Sequence, residues 1–452
     1  MLIPGFGQGG VTVPRTLLSF LGTSSYLECC YNFQGSEVKT RYIQAALAQT
    51  VCSSWGPEDR ILIFCTKTAL ESNWNSLTDS NGKTHPGLED SLKSLDLPVK
   101  VEQITVPDGK STAEIWDIFN CITESVKAGD SLTLDVTHAF RYLPMLLLTA
   151  TSYARVLKRA DVEAIYYGAL EALGSPDAVR ELPVKERKVP VFDLTEFVTL
   201  MDWSQAVDRF ITAGDGNSLS EVAKREIKRS KESPSPPPGD IRPHLGKLPE
   251  ALKNFADVMG TCRGPHIPKS AATLKECISA LEHSDSPRVL LPLLSRINAE
   301  LSQFGKTAIG DFVEAAKWCA KHNLIQQGYT ILQEGLISYF LAACGYKHCK
   351  YQLSCRQLVN QAAFKIYYNE KDGKKGKVRP PVISNPEEQE TYNALVELMQ
   401  GCKPLVETHV KLGGSRNDLN HAGMNNNPTS AVKIRNNLNR IIKRVEECLI
   451  SQ

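Results

Sequence analysis

Residues 131–158, SLTLDVTHAFRYLPMLLLTATSYARVLK, join a strand pattern to a helix pattern. Residues 131–136 form a short apolar run typical of a buried strand, and residues 139–158 carry apolar side chains at helical spacing. A buried strand that leads directly into a helix is the repeating unit of parallel α/β sheets. This stretch therefore predicts an α/β domain.

The same alternation extends through the N-terminal half of the chain. Five more short apolar or β-branched runs predict strands, at 17–22, 60–66, 99–106, 162–168 and 189–194. Between them, helical patterns cover 38–51, 112–127 and 195–211. Alternating strands and helices favour a parallel sheet with helices on both faces. We expect a Rossmann-like domain over residues 1–213.

The C-terminal half has a different, helical pattern. Residues 229–243, RSKESPSPPPGDIRP, hold five prolines and cannot lie inside a helix or a central strand. Further helices are predicted at 245–259, 271–283, 290–304, 309–321, 324–344, 387–400, 405–410 and 428–449. We expect a linker with connecting helices over 214–270 and an all-helical domain over 271–452. The basic loop 371–381, KDGKKGKVRPP, can contact RNA, although such loops are more often simply solvated.

Composition narrows the class of protein. The chain has 452 residues, 42% hydrophobic and 23% charged, which is typical of a globular protein with two or three domains. No apolar run approaches the roughly 18 residues of a membrane helix, and the first residues lack the pattern of a secretory signal, so we expect a cytoplasmic protein. The 13 cysteines are scattered without a CxxC pair, and we predict no metal site.

Charge divides unevenly along the chain. Residues 1–213 contain 19 Lys and Arg against 26 Asp and Glu, whereas residues 214–452 contain 33 against 24. The C-terminal half is therefore the one that would attract a polyanion.

Two segments are predicted to form a ligand site at the carboxyl edge of the sheet, where ligands of open α/β sheets bind. The turn after the first strand contributes Gly22, Thr23, Ser24, Ser25 and Tyr26. The segment after the fourth strand contributes Thr137, His138 and Arg141. Thr137 is predicted to cap a helix whose N-terminus favours a phosphate. The alternative is structural: Thr137 only caps, Asp135 pairs locally and Arg141 lies on the surface.

A second candidate site lies in residues 413–421, GGSRNDLNH. The two glycines and Ser415 predict the start of a helix on which Asn417 and His421 share a face. Arg416 lies 140° from His421 at 100° per residue, so its side chain must reach around the first turn. An arginine, an amide and an imidazole together suit phosphodiester cleavage, because arginine stabilises phosphorane charge and histidine transfers a proton. An ordinary helix surface is the alternative.

These motifs resemble the CARF-HEPN ribonucleases of type III CRISPR systems. The resemblance rests on Asp135-x-Thr137-His138-x-Phe140-Arg141 and on Arg416-Asn417-x-x-x-His421. The turn at 22–26, an early helix expected at 40–44 and the helical C-terminal setting agree with it. The 229–243 and 371–381 segments have no counterpart in the family pattern.

The resemblance implies a sensor joined to an effector. A homodimer, or a higher oligomer built from it, would bind a cyclic oligoadenylate, with cyclic tetra-adenylate favoured over the hexa-adenylate. The bound ring would activate a metal-independent HEPN site that cuts single-stranded RNA in antiviral defence, without a cofactor. Arg416 would hold the scissile phosphate and Asn417 would position it or the histidine ring. His421 would act as base, as acid, or to orient the 2′-OH.

Two other functions belong to different classes. One is a ligand-controlled, nucleic-acid-binding regulator without catalysis, although no compact helix-turn-helix is evident. The other is an interaction scaffold in which Arg416 and His421 are incidental.

Overall fold

The computed structural model describes residues 13–78, 84–138, 142–232, 245–282, 290–371 and 380–450. They form two compact units that divide between Thr199 and Leu200. The Pro-rich part of 229–243 from residue 233 onward and most of 371–381 lie outside the described residues.

The N-terminal unit is built on an eight-stranded, mostly parallel sheet. Its strands are β1 Arg15–Leu21, β2 Cys29–Phe33, β3 Ser36–Thr40, β4 Arg60–Cys65, β7 Lys100–Thr105, β8 Ser131–Asp135, β9 Asp161–Gly168 and β10 Lys188–Asp193. A separate two-stranded ladder pairs β5 Leu77–Thr78 with β6 Thr84–His85. The strand order is β3-β2-β10-β9-β8-β1-β4-β7. β1 pairs in parallel with both β4 and β8, and only the β9–β10 and β2–β3 pairs of this sheet are antiparallel among the residues described.

Helices cover both faces of this sheet. They are α1 Ile43–Thr50, α2 Lys67–Ala69, α3 Leu88–Lys93, α4 Thr112–Ser125, α5 Leu143–Lys158, α6 Pro176–Glu181 and the first turn of α7 Thr195–Ala213. Successive side chains of a strand point to opposite faces. Leu17 accordingly packs in the core on the α1 side, and Leu18 packs in the core under α4 and α5. The predicted Rossmann-like fold class is confirmed.

One part of the sheet differs from the sequence prediction. The predicted helix over 38–51 begins only at Ile43, because residues 36–40 form β3 of a hairpin with β2. The hairpin turn consists of Gln34 and Gly35, both with positive φ (48° and 84°). Two positive φ values in a two-residue loop are the mark of a type I′ turn, whose twist matches that of paired strands.

The C-terminal unit contains helices and connecting turns, with no strand among its described residues. Its helices after α7 are α8 Gly216–Glu232, α9 Leu248–Gly260, α10 Ile267–Glu282, α11 Leu291–Leu301, α12 Ala308–Lys321, α13 Ile325–Ala343, α14 Leu353–Lys371, α15 Pro386–Gly401, α16 Lys403–Asn420 and α17 Ala431–Ile450. The sequence patterns had missed α8 and α14. The helical character expected of the C-terminal domain is present.

Two apolar cores organise this unit. The first is formed by helices α7 to α13, and the second by α12 to α17, so that α12 and α13 contribute side chains to both. α8 and α9 lie in the region expected to hold a linker with connecting helices, and they pack into the first core. The boundary expected at residue 213 coincides with the end of α7, whereas the compact units divide inside this helix. No helix among the described residues has the length and apolarity needed to cross a membrane.

Candidate functional site

A cavity of about 470 Å³ opens at the carboxyl edge of the N-terminal sheet. β1 and β8 are hydrogen-bonded neighbours, with Leu18 opposite Leu134, so the segments that follow them emerge side by side. Seven of the predicted ligand residues line this cavity: Gly22, Thr23, Ser24, Ser25, Tyr26, Thr137 and His138. The eighth, Arg141, lies outside the described residues. The topology thus brings the two predicted segments to one place.

The turn after β1 is held in shape from both sides. The Gly22 N–H donates to the Tyr26 hydroxyl oxygen at 2.8 Å. The buried Asn73 amide donates to the carbonyls of Gly22 at 2.9 Å and Ser24 at 3.0 Å. A Cβ on Gly22 would lie 3.0 Å from the Tyr26 hydroxyl, so a glycine fits this contact best. The exposed Thr23–Ser25 hydroxyls are therefore presented on a fixed backbone.

His138 forms part of the cavity wall. Its ring meets the Tyr26 ring edge-on, with the centroids 4.5 Å apart. Burial lowers the pKa of His138 to about 4, so its imidazole is neutral at physiological pH. Its Nε2 is buried without a hydrogen-bond partner in the part of the chain that the structure describes. A neutral imidazole with one unused nitrogen offers a ligand a single hydrogen bond rather than a charge.

Thr137 has a different role from the predicted helix cap. α5 begins at Leu143, after Tyr142, and the Thr137 hydroxyl oxygen accepts instead from the Gly168 N–H at 2.8 Å. The capping prediction was wrong because the segment after β8 is longer than a direct strand-to-helix turn. Thr137 therefore links the ends of β8 and β9.

Asp135, at the end of β8, holds the segment that carries Thr137 and His138 in place. One carboxylate oxygen accepts from the Ser19 hydroxyl at 2.6 Å and the other from the Thr137 N–H at 3.0 Å. The side chain is buried, and this burial raises its pKa. The cross-strand bond to Ser19 ties β8 to β1 directly beneath the cavity.

Two arginines that the sequence did not single out as ligand residues also line the cavity. Arg41 follows β3 directly and is half-buried, and within the described residues it makes no ion pair or hydrogen bond. Arg180, on α6, pairs with the exposed Asp177 at 3.0 Å. Arg41 was missed because β3 had been taken for helix, although the Gln34-Gly35 turn signals a hairpin. Nothing in the linear pattern points to Arg180.

In the C-terminal unit, the predicted site lies at the end of a helix rather than at its start. α16 runs through Gly413 and Gly414, and His421 terminates it by donating its N–H to the Asn417 carbonyl at 3.1 Å. The predicted helix start at the glycines was wrong, because the helix predicted over 405–410 continues through them as α16. A Cβ on Gly413 would lie 3.0 Å from the Gln333 side chain, so close packing against α13 accounts for this glycine inside the helix.

Arg416 is held against α13. Its Nη1 donates to the Gln333 side-chain oxygen at 3.3 Å and to Glu334 Oε1 at 3.2 Å. The other oxygen of Glu334 accepts from Arg356 Nε at 3.1 Å. Arg356 is itself fixed by donating to the Ser338 hydroxyl at 3.1 Å and to a backbone carbonyl. Arg356 therefore positions Glu334, which in turn positions Arg416.

Asn417 and His421 point to the surface, and both residues are exposed. Among the described residues no hydrogen bond joins the side chains of Arg416, Asn417 and His421. The loop that follows His421 is fixed by Asp418, whose carboxylate accepts from the Asn425 amide and, at 3.2 Å, from the Thr429 N–H. The exposed imidazole thus sits on an anchored helix end.

The cysteines are free thiols, as far as the described residues show, and most are buried. The described residues contain no group of three or more His, Cys, Asp or Glu side chains arranged to hold a metal ion.

Comparison with known proteins gives two matches. Residues 16–171 match the family model described as CRISPR system endoribonuclease Csx1, CARF domain. A 229-residue stretch is 24% identical to CRISPR-associated protein MJ1674 of Methanocaldococcus jannaschii. That match covers 49% of this chain and 31% of the relative, so the chain spans about a third of the relative's length.

The family match falls on the unit that carries the cavity. It begins one residue into β1 and ends at Glu171, just beyond β9, so it includes the turn at 22–26 and the segment at 137–138. The N-terminal unit is thus similar to a CARF domain, and about half of the chain is similar to part of a CRISPR-associated protein. A CARF domain indicates ligand sensing. The helical unit, which carries Arg416 and His421, lies beyond the family match.

Proposed function

We propose that this protein is a cyclic oligoadenylate-activated, metal-independent endoribonuclease that cuts single-stranded RNA. The observation that carries the proposal is the 470 Å³ cavity at the carboxyl edge of a sheet that matches the CARF domain of a CRISPR endoribonuclease family. Its volume is within the range of small-molecule sites.

The cavity suits a ring of adenylates chemically. Arg41 and Arg180 supply cations for phosphates, and the exposed Thr23–Ser25 hydroxyls supply hydrogen bonds. A two-fold symmetric ring needs two copies of such a site, so the active species is a homodimer with the ring bound across its axis. We favour cyclic tetra-adenylate as the activator.

The effector chemistry is assigned to the end of α16. Arg416 binds the scissile phosphate and stabilises the charge that develops on it. The 2′-OH of the substrate attacks the adjacent phosphorus, its proton leaves to a base, and the 5′-oxygen departs with a proton. This leaves a 2′,3′-cyclic phosphate and a 5′-hydroxyl. His421 transfers one of these protons, because imidazole exchanges protons near neutral pH.

RNA is the expected substrate because the nucleophile is its own 2′-OH. The attacking group comes from the substrate and the charge is met by arginine, so the reaction as drawn uses side chains alone. Asp418, two residues after Arg416 in the sequence, accepts hydrogen bonds from Asn425 and Thr429 and holds the loop in place.

One experiment tests the proposal. Purified protein is incubated in EDTA with single-stranded RNA, with the same sequence carrying 2′-deoxy sugars, and with duplex DNA, each with and without cyclic tetra- or hexa-adenylate. We expect ring-dependent cleavage of RNA alone, with a 2′,3′-cyclic phosphate product. His421→Ala should lower the rate about 10²- to 10⁴-fold without changing ring binding.

Other outcomes identify the competing functions. Ring-dependent binding of duplex DNA without cleavage would indicate a regulator. Equal cleavage of the 2′-deoxy strand, or activity that needs magnesium, would refute the mechanism. Cleavage by His421→Ala at the wild-type rate would place the nuclease site elsewhere.

A further inference from the structure

The exposed face of α17 carries several positively charged side chains. Its buried face is a regular apolar row, formed by Ile434, Leu438, Ile442 and Val445. The opposite side exposes Lys433, Arg440, Lys443 and Arg444. Because the apolar row is packed in the core, the direction of the basic face is fixed.

Three of these cations lie in line. Lys433, Arg440 and Arg444 are spaced by seven and four residues, so they fall within about 40° of one another at 100° per residue. At 1.5 Å per residue the row is about 16 Å long. We call these three residues the α17 basic row. Two amides, Asn436 and Asn437, lie beside it.

Little of this charge is neutralised. Arg444 meets Glu447 at 3.2 Å, and Arg440 donates to the Asn437 side chain at 2.8 Å. Lys433 and Arg440 have no carboxylate within ion-pair distance in the ranges that the structure covers. Glu446, the other acid of this helix, is bound to Lys317. Two of the three cations therefore have no acid beside them among the described residues, and such a row favours a polyanion.

The row starts at the same end of the unit as His421. Asp418 accepts from the Thr429 N–H, which pins the loop after His421 to the residue two positions before α17. Lys433 lies one turn beyond, with its N–H near the Ser430 hydroxyl at 3.4 Å. The imidazole and the first cation of the row are thereby joined by an anchored segment of chain.

We propose that the α17 basic row binds the sugar-phosphate backbone of single-stranded RNA and leads it to His421. This inference rests on the proposed function and names the surface that holds the substrate. Lysine and arginine bind phosphates without reading sequence, and the neighbouring amides supply additional hydrogen bonds to the backbone or bases.

The test measures binding separately from cleavage. A fluorescent 2′-O-methyl oligonucleotide, which lacks the nucleophile, is titrated with the full-length protein in the presence of the activator at several salt concentrations. In the test variant, Lys433→Gln, Arg440→Gln and Arg444→Gln are combined. The control carries the same charge change on exposed residues of α9, α10 and α11: Lys253→Gln, Lys269→Gln and Arg296→Gln.

We expect the row variant to bind roughly tenfold or more weakly at about 0.1 M salt, with the control unchanged. Three lost phosphate contacts should also flatten the slope of log K against log salt by about 2. With cleavable RNA, the row variant should show a raised KM and an unchanged kcat, because no reacting group is removed.

Each other result has one meaning. If the row variant binds RNA as tightly as the control and still cleaves it, the α17 basic row is not the RNA-binding surface, and the proposed function is retained. Loss of binding by the row variant in a protein that never cleaves RNA supports the row and rejects the nuclease. If the row variant binds RNA normally but has a changed oligomeric mass in light scattering, the proposal is refuted. The α17 basic row would then contact an acidic surface of a second copy of the chain.

Discussion

Replacement of Glu334 by glutamine should release Arg416 while leaving the fold intact. Glu334 divides its two oxygens between Arg416 and Arg356. Glutamine has one carbonyl oxygen, and Arg356 takes it, because Arg356 is also fixed by Ser338 and a backbone carbonyl. The amide NH₂ then faces the Arg416 guanidinium, donor against donor.

The size of the effect follows from the exposure of the pair. The side chains of Arg416 and Glu334 are 29% and 36% exposed. The energy of their interaction should therefore lie between that of a buried hydrogen bond to a charged group, about 1.5–3 kcal/mol, and that of a surface ion pair, about 0–1 kcal/mol. We take about 1–2 kcal/mol as the energy with which Glu334 holds Arg416 in place. A change of about 1.4 kcal/mol in the activation free energy changes the rate tenfold. Glu334→Gln should therefore lower kcat about 5- to 30-fold.

The assay is RNA cleavage at saturating activator, as a double-mutant cycle. Arg416→Ala should cost about 10²- to 10³-fold, and adding Glu334→Gln to it should cost nothing more, because there is no guanidinium left to position. Glu407→Gln is the matched control, since Glu407 pairs with Lys411 on the same helix at 2.7 Å. If the rate losses of the two single variants multiplied in the double variant, Glu334 would not act through Arg416. An unchanged kcat in Glu334→Gln would also refute the positioning role.

The remaining predictions concern the sensor cavity. Arg41→Ala should raise the activator concentration for half-maximal cleavage about tenfold and spare basal activity, because one phosphate cation is lost; superimposable activation curves would contradict this. Gly22→Ala should raise that concentration with little change in Tm, since its Cβ would press on the Tyr26 hydroxyl at 3.0 Å, and calorimetry with ring titration checks both. Folding holds the pKa of His138 at about 4, below the value near 6.5 of an unfolded chain. The unfolded chain therefore binds more protons between these values, and the free energy of unfolding should fall as pH drops from about 6.5 to about 4, by up to about 3 kcal/mol. In urea unfolding at several pH values, the free energy of unfolding of His138→Gln should fall less steeply than that of the wild type. Identical pH profiles for the two proteins would argue against a buried neutral ring.

The sequence by itself determined the fold class of this protein. The strands β1, β4, β8 and β9 are largely apolar runs, as burial on both faces of a parallel sheet requires. The strands β7 and β10 are only partly buried, but their β-branched residues still predict strands. The residues after β1 and β8 could also be assigned to one edge, because parallel strands end on the same side.

Tertiary packing decided what local propensity could not. Gly413 and Gly414 are helix breakers by propensity, yet α16 passes through them, because Gly413 packs against Gln333. Thr137 has the chemistry of a helix cap but bonds to Gly168, thirty-one residues away, since the chain brings β9 beside β8.

The contacts that position Arg41 and Arg416 could not be predicted from the sequence either. Arg41 reaches the cavity only because the β2–β3 hairpin places it there, and Arg416 meets Glu334 only because α16 packs on α13. Each contact joins residues distant in the chain through the burial of apolar faces. Sequence periodicity shows which faces are apolar, but the partner that each face packs against is set by the folded structure.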